Sequence, residues 1–531
     1  MNATCVEQQQ QKQRLWDLVR GEPSRQAWDE LLQYLSTASI DEQRVLVERL
    51  QPHVALWPEA LRTHRCSSVD QWVRQPPVWW PLVGSLSFER CSIRTARDLR
   101  ELAHSPRMAH VSLLDLSANL VGAEGAWVLA QSPYLRNLTS LNLSGCALGD
   151  QGVEALVQSS GLRRLVTLKL RRNQLGPRGA HTLAGASHLT TLLVLDLEDN
   201  RLEDEGVAAL AASNQLRLQL LNISGNGIGE QGVRMLAQGS ATADLIGLDL
   251  SGNAMGPAGA QALAGAPCLG KLNVLHLGSC ALHDVGIGAL IGSPHLLRTR
   301  ALKALGLAHN QLSAAGVEIL VQSPLSKGLV HLDLSLNMLG PQGGHTLTRS
   351  PYLQRLTRLS LHRCRLGDEG VKALSKVARL THLSLTDNAV GDEGLRALAQ
   401  SPKLASLMRL NLSDNSIGDP GAQALANSPH MRHLVRLYLD RNRVGDAGAE
   451  ALAQSPHLRK LTMLSLMDNT QGPWSAPLSQ STSSVLHGER FVWGQAIARL
   501  WATSPLSSVS IPRLWTPASR SSSDSLRRPA C

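Results

Sequence analysis

Few residues in this 531-residue chain stand at the spacing that catalysis or ligand chemistry needs. Residues 265–271, GAPCLGK, fit GxxxxGK, the pattern of a phosphate-cradling loop. Leu272 then stands where a magnesium-binding Ser or Thr belongs, and a helical pattern rather than a strand precedes the stretch. His430 and His433 are three apart, but they lie in a variable connection without paired metal spacing. The eight cysteines form no CxxC, which argues against a thiolate zinc site and a disulfide framework. HExxH, GxSxG and GxGxxG do not occur. The expectation is a non-enzyme with no metal and no cofactor.

Charge is the chemistry that remains. The chain carries 52 Lys and Arg against 42 Asp and Glu, a net charge of +10. Residues 281–469 hold 21 basic and 14 acidic side chains, while residues 85–280 hold sixteen of each. Five consecutive Leu-x-Leu stretches are preceded by His331, Arg358, His382, Arg409 and Arg436. If each stretch is a strand of one sheet, these five stack in a single exposed column. His362, Arg363, Tyr438 and Arg441 then lie beside it, and Asp333, Asp387, Asp414 and Asp440 interrupt it. Such a column reads as a docking patch for an acidic protein or another polyanion. Asp196, Glu198, Asp199 and Asp249 stand on earlier stretches, so the face is expected to change sign along its length. Nucleic acid is disfavoured as a partner, because aromatics are only 3% of the chain and basic residues are not interleaved with stacking rings.

A repeat must position these side chains. LxLxxN or LxLxxC ends at Asn119, Cys146, Asn173 and Asn200, and ten further times as far as Asn469. Ten of the thirteen intervals are 27 residues; the others are 26, 30 and 24. A glycine stands six residues after each of the first thirteen positions, from Gly125 to Gly448. A degenerate copy ends at Cys91, which makes about 15 units. Each LxL predicts a short strand with its leucines turned inward. The Asn or Cys then turns the chain and bonds loop backbone groups that burial would leave unpaired. Asp368 and its equivalents stand where a helix N-cap belongs, and Pro177, Pro257 and Pro341 take the same slot. The repeated glycine is expected to let the helix sit close against the strands. A Ser-Pro pair usually ends the helix, and the 24-residue unit after Cys364 lacks it.

This pattern resembles the leucine-rich repeat. The strand-plus-helix units are similar to the ribonuclease-inhibitor-like class. The wording GAxALA…SPxLRxLTxLxLSxNxxGDxG resembles bacterial GALA-type proteins and bacterial families whose repeats follow a short companion segment. The resemblance covers about residues 85–470. It implies an α/β solenoid, or horseshoe, right-handed, with parallel strands on the concave face and helices on the convex face. It also implies a non-catalytic scaffold that binds a protein partner through the concave face. Two alternatives come with it. Ran GTPase-activating proteins are similar in repeat type, although their acidic C-terminal region is lacking here. DELLQYLS at 29–36 faintly resembles the F-box of GALA effectors, without its preceding proline.

The ends differ from the repeats. Residues 1–84 hold six of the eleven tryptophans on helical patterns and read as an N-terminal cap over the first repeat. Ser39 and Glu42 there form a possible capping box. Residues 471–531 are rich in Ser, Pro and Arg and read as mostly disordered. Within them 491–501, FVWGQAIARLW, places Trp493, Ile497, Leu500 and Trp501 on one helical face. No apolar run is long enough to span a bilayer, and the N-terminus does not read as a secretory signal. A cytoplasmic location is expected.

Overall fold

The computed structural model describes residues 13–93, 95–298 and 302–470. The expected tail 471–531 and its apolar island lie outside these residues.

Sixteen three-residue strands form one open parallel sheet in sequence order. They are β1 (Thr63–Arg65), β2 (Ser85–Ser87), β3 (Leu113–Asp115), β4 (Ser140–Asn142), β5 (Thr167–Lys169) and β6 (Val194–Asp196). Next come β7 (Leu220–Asn222), β8 (Gly247–Asp249), β9 (Val274–His276), β10 (Ala304–Gly306) and β11 (His331–Asp333). The last are β12 (Arg358–Ser360), β13 (His382–Ser384), β14 (Arg409–Asn411), β15 (Arg436–Tyr438) and β16 (Met463–Ser465). A helix comes after each strand from β2 to β15 and returns the chain to the same edge of the sheet. This is the α/β solenoid that the repeat predicts. The sheet starts earlier than the repeats do: β1 lies at Thr63–Arg65 and pairs in register with β2.

The middle residue of every strand from β2 to β16 is leucine, and it is buried from β2 through β15. Three residues per strand suffice because the turn after each strand holds the sheet together. The residue before the ladder Asn or Cys takes a left-handed conformation, at Gly145, Gly225, Asp387 and Asp414 among others. That turn directs the Asn inward. Asn226, 1% exposed, donates to the Leu197 carbonyl at 2.9 Å and the Ser224 carbonyl at 3.0 Å. Its oxygen accepts from the Leu202 amide, and its own amide donates to Asn253 Oδ1 at 2.9 Å. Cysteine repeats half of this role. Cys146, Cys280 and Cys364 each point the thiol at a carbonyl 3.2 Å away, of Leu116, Leu250 and Leu334. Burial pushes these thiols up to about 11, 12 and 12, so they stay protonated.

The helix starts differ from the sequence expectation in two respects. The Asp of each GD pair does not cap its own helix. Its carboxylate reaches across to the next one. Asp368 accepts from the Gly391 and Gly394 amides, Asp392 from Gly418 and Gly421, and Asp419 from Gly445 and Gly448. Where that reach occurs, it requires the repeated glycine. A Cβ at Gly394, Gly421 or Gly448 would sit 2.6 Å from the carboxylate oxygen of the preceding helix. There the glycine gives room to the Asp of the neighbouring helix; at Gly152, Gly206, Gly286 and Gly370 a Cβ would instead meet the preceding helix itself and the leucine four residues earlier. The 24-residue unit joins helix Gly367–Leu374 to β13 by seven residues without the usual short turn, and Arg379 there has φ of 69°.

The N-terminal end is closed by helices Arg25–Thr37 and Ile40–Val54, capped by Ser24 and Ser39. Trp28, Leu31, Leu35 and Leu50 are fully buried. The Trp28 indole donates to the Thr63 carbonyl at 3.0 Å, which ties the first of these helices to β1. Leu31 and Leu35 of DELLQYLS thus face inward.

Two substitutions separate the roles of the ladder and the caps. Asn226→Ala strips partners from several buried backbone groups and is expected to cost about 2–4 kcal/mol. Asp392→Ala removes one helix cap and is expected to cost about 1 kcal/mol. Chemical denaturation of the two variants measures both; equal losses would contradict the ordering.

Candidate functional site

Parallel register places equivalent residues side by side on the concave face. His331, Arg358, His382, Arg409 and Arg436 are direct neighbours from β11 to β15, and Met463 continues the row on β16. The column therefore forms. Its members are not the exposed side chains that the sequence suggests. His331 is 3% exposed, and the other four are half-buried. Burial, with Arg358, His382 and His276 beside it, pushes the His331 imidazole down to about 3. That ring is neutral near pH 7, so His331 adds no charge to the column. His382 Nδ1 lies 2.9 Å from Thr381 Oγ1.

The residues beside the column divide into two groups. Tyr438 belongs to it: the Arg409 guanidinium lies over the ring, 5.6 Å from its centre, and donates to the hydroxyl at 3.1 Å. Arg363 and Arg441 instead stand on the turns after their strands and are each matched by an acid. Arg363 pairs with Asp387 at 2.5 Å, and Arg441 makes a two-bond pair with Asp414. The Asp414 carboxylate raises the Arg441 guanidinium further. His362 Nδ1 lies 3.2 Å from the Thr386 carbonyl, and burial lowers its pKa. Asp387 and Asp414 thus spend their charge on the turns, while Arg358, Arg409 and Arg436 stand at the start of their strands.

The earlier acidic zone is likewise matched. Arg171 meets Glu198 at 2.9 Å, and Arg172 meets Asp199 at 2.9 Å. Lys169, on β5, is half-buried beside Asp196 on β6. These acids stand out in the sequence without their cations, because Lys169, Arg171 and Arg172 all belong to a single repeat and form no column. Burial still dominates at Glu198, whose carboxyl is pushed up to about 7, with Arg171 opposing and Asp196, Asp199 and Asp249 adding to the rise.

One feature has no counterpart among the sequence expectations. The position that holds His331 on β11 is apolar on four of the five strands before it. Val194, Leu220, Val274 and Ala304 form a small cluster of their own, flanked by Leu193 and Ile246. It lies outside the main core, on the concave side. The signal was present as V, L, G, V and A before successive leucines.

Among the described residues, no group of three or more His, Cys, Asp or Glu is arranged to hold a metal. The GAPCLGK segment forms a short turn, Pro267–Gly270, after helix Gly256–Ala264. It lines a convex-side groove of 830 Å³ with Glu230, Arg234 and Gln261, and its Cys268 is buried. No described helix is long and apolar enough to cross a membrane.

The family described as Leucine Rich repeat matches the chain in eight stretches: 134–157, 188–211, 218–237, 245–264, 352–375, 380–399, 403–426 and 430–453. The chain is a leucine-rich repeat protein. Solved structures of similar repeat architecture include an internalin from Listeria monocytogenes, 21% identical, with a TM-score of 0.40, covering 69% of this chain and 95% of that one. Another is a complex of Rad7 and Elc1 in yeast, at 17% identity and a TM-score of 0.41, covering 87% of this chain and 96% of that one. A leucine-rich repeat protein of Leptospira interrogans is 20% identical, with a TM-score of 0.37, covering 79% of this chain and 97% of that one. No curated protein matches the sequence.

Glu198 offers a test of the buried charge network. Its folded pKa lies above the unfolded value, so the folded state binds more protons between about pH 4.5 and 7. Stability contributed by the protonated form is present below that window and is lost as pH rises through it. Glu198→Gln is therefore expected to gain stability on wild type as pH goes from 5 to 7.5. Denaturant titrations at the two pH values check this; a gap independent of pH would refute it.

Proposed function

We propose that this leucine-rich repeat protein is a non-catalytic scaffold that captures an acidic protein through the concave face of its C-terminal half. The observation that carries the reading is the column at the strand starts, where Arg358, Arg409 and Arg436 are held in one register. Tyr438 fixes Arg409 in place, which lowers the entropy lost when a partner binds. The apolar cluster of Val194, Leu220, Val274 and Ala304 occupies the same row further along. An apolar zone beside a charged one is the anatomy of a protein interface. Charge sets partner choice and on-rate more than affinity.

The bacterial, GALA-type character and the cytoplasmic setting belong to the same reading. Their support is the repeat wording and the free, largely buried cysteines Cys66, Cys146, Cys268, Cys280 and Cys364.

The test is affinity capture from native lysate with wild type and with Arg358→Glu/Arg409→Glu/Arg436→Glu, folding being checked by circular dichroism. The expected outcome is an acidic protein held by wild type and lost, by tenfold or more, from the variant. A partner held equally by both would overturn the concave reading.

A further inference from the structure

All sixteen strands run the same way, so every segment that leads into a strand does so at one edge of the sheet. This leading edge is basic almost without interruption. The fourteen connections that run from a repeat helix to the next strand, β3 to β16, hold fifteen Lys and Arg among the described side chains and one acid, Asp244. The thirteen turns on the opposite edge, after β3 to β15, hold seven Lys and Arg and five Asp and Glu. The whole chain is only +10, so this edge carries more than the entire excess and the remainder is net negative.

Six consecutive repeats each present an exposed cation here: Lys327, Arg355, Arg379, Lys403, Arg432 and Lys460, leading into β11 to β16. The ion pairs of this part of the chain use other cations: Arg363, Lys372, Arg396 and Arg441. Among the described residues none of the six is paired with a carboxylate; Lys460 Nζ lies 3.2 Å from His433 Nδ1. Arg358, Arg409 and Arg436 border the row on its concave side. Helix C-termini also lie at this edge and favour cations, but that effect fades within the last turn. The six cations stand four to seven residues past the ends of their α-helices, and Lys327, Arg355 and Lys403 fall in short 3₁₀ turns of three to five residues. The dipoles of the α-helices therefore do not account for them.

We propose that the leading edge binds the phosphate backbone of double-stranded nucleic acid, without reading its sequence. Three observations select this partner. The surface is of one sign, long and repetitive, like the phosphate lattice. At roughly 4.8 Å between strands, the six cations span about 24 Å, comparable with seven base pairs of duplex. The exposed large apolar side chains at this edge are Leu297 and Met408, too few for the core of a protein interface or for insertion into lipid. Tyr134 and Tyr352 are half-buried, and no Phe, Tyr or Trp ring here is exposed among the described residues; the exposed rings are the imidazoles of His104 and His110, so the bases of a single strand have little to stack on. Scarce aromatics thus disfavour single strands and leave duplex binding untouched, since backbone contact needs only charge and polar groups. None of this rests on the concave column.

The experiment is fluorescence anisotropy of a mixed-sequence duplex of about 30 base pairs with the full chain, from about 50 to 200 mM salt. Wild type is expected to bind, with an affinity that falls steeply and linearly on a log–log plot. Arg355→Glu/Arg379→Glu/Lys403→Glu/Arg432→Glu is expected to bind at least tenfold more weakly, with a slope shallower by about 0.9 for each phosphate no longer neutralised. Four reversals on the convex helices, Arg178→Glu/Arg234→Glu/Lys372→Glu/Arg396→Glu, match the change in net charge and are expected to retain binding. Circular dichroism confirms folding of both. The proposal fails if wild type does not bind at the lowest salt, or if the edge variant binds as wild type does. It also fails if the convex variant loses binding equally, or if polyglutamate or anionic phosphatidylserine vesicles bind more tightly than the duplex.

Discussion

The structure depends on how the buried backbone of each turn is satisfied. A three-residue strand makes too few ladder bonds to define itself, and the turn after it buries amides and carbonyls that water cannot reach. The ladder side chain supplies what is missing, and it does so across a unit boundary. Asn173 reaches back to the Leu143 carbonyl, while its oxygen accepts the amides of Cys146 and Leu148. Each unit is therefore completed by the next one.

The Asp at the helix start adds a second tie in the opposite sense. Asp392 lends its carboxylate to the amides at the start of the next helix. At Gly394, Gly421 and Gly448 the glycine six residues beyond the ladder position leaves the space that such a carboxylate occupies. Two polar contacts and one missing Cβ thus set how closely helices pack, and the leucine rows fill what lies between. Cohesion of this kind is local and additive, as expected of a quasi-one-dimensional array.

The fold was legible because period, ladder residue and glycine all repeat in one dimension. The solenoid, the inward leucines and the column from His331 to Arg436 all come from counting. What counting missed depends on contacts between residues at different places in the repeat. Arg363 and Arg441 read as part of a basic field until Asp387 and Asp414 are found in the adjoining turns. His331 reads as exposed and chargeable until the crowding of the concave wall is known. The Asp residues read as caps of their own helices, because sequence spacing cannot tell a near helix from its neighbour. The leading edge was hidden for a different reason. Its cations vary in position within each connection, so they line up only when all the connections are known to share one side.

The cross-boundary contacts also bear on how such a gene can change. Every polar tie joins residues about one repeat apart, as Asn226 to Asn253 or Asp419 to Gly445. Unequal recombination that adds or deletes a whole 27-residue unit in phase leaves each ladder residue facing an equivalent partner, so the array can lengthen or shorten without a new sequence being invented. The 24-, 26- and 30-residue units mark where that phase was broken. Misaligned exchange across those three boundaries would leave turns without partners, which makes them natural seams between blocks that can be copied freely.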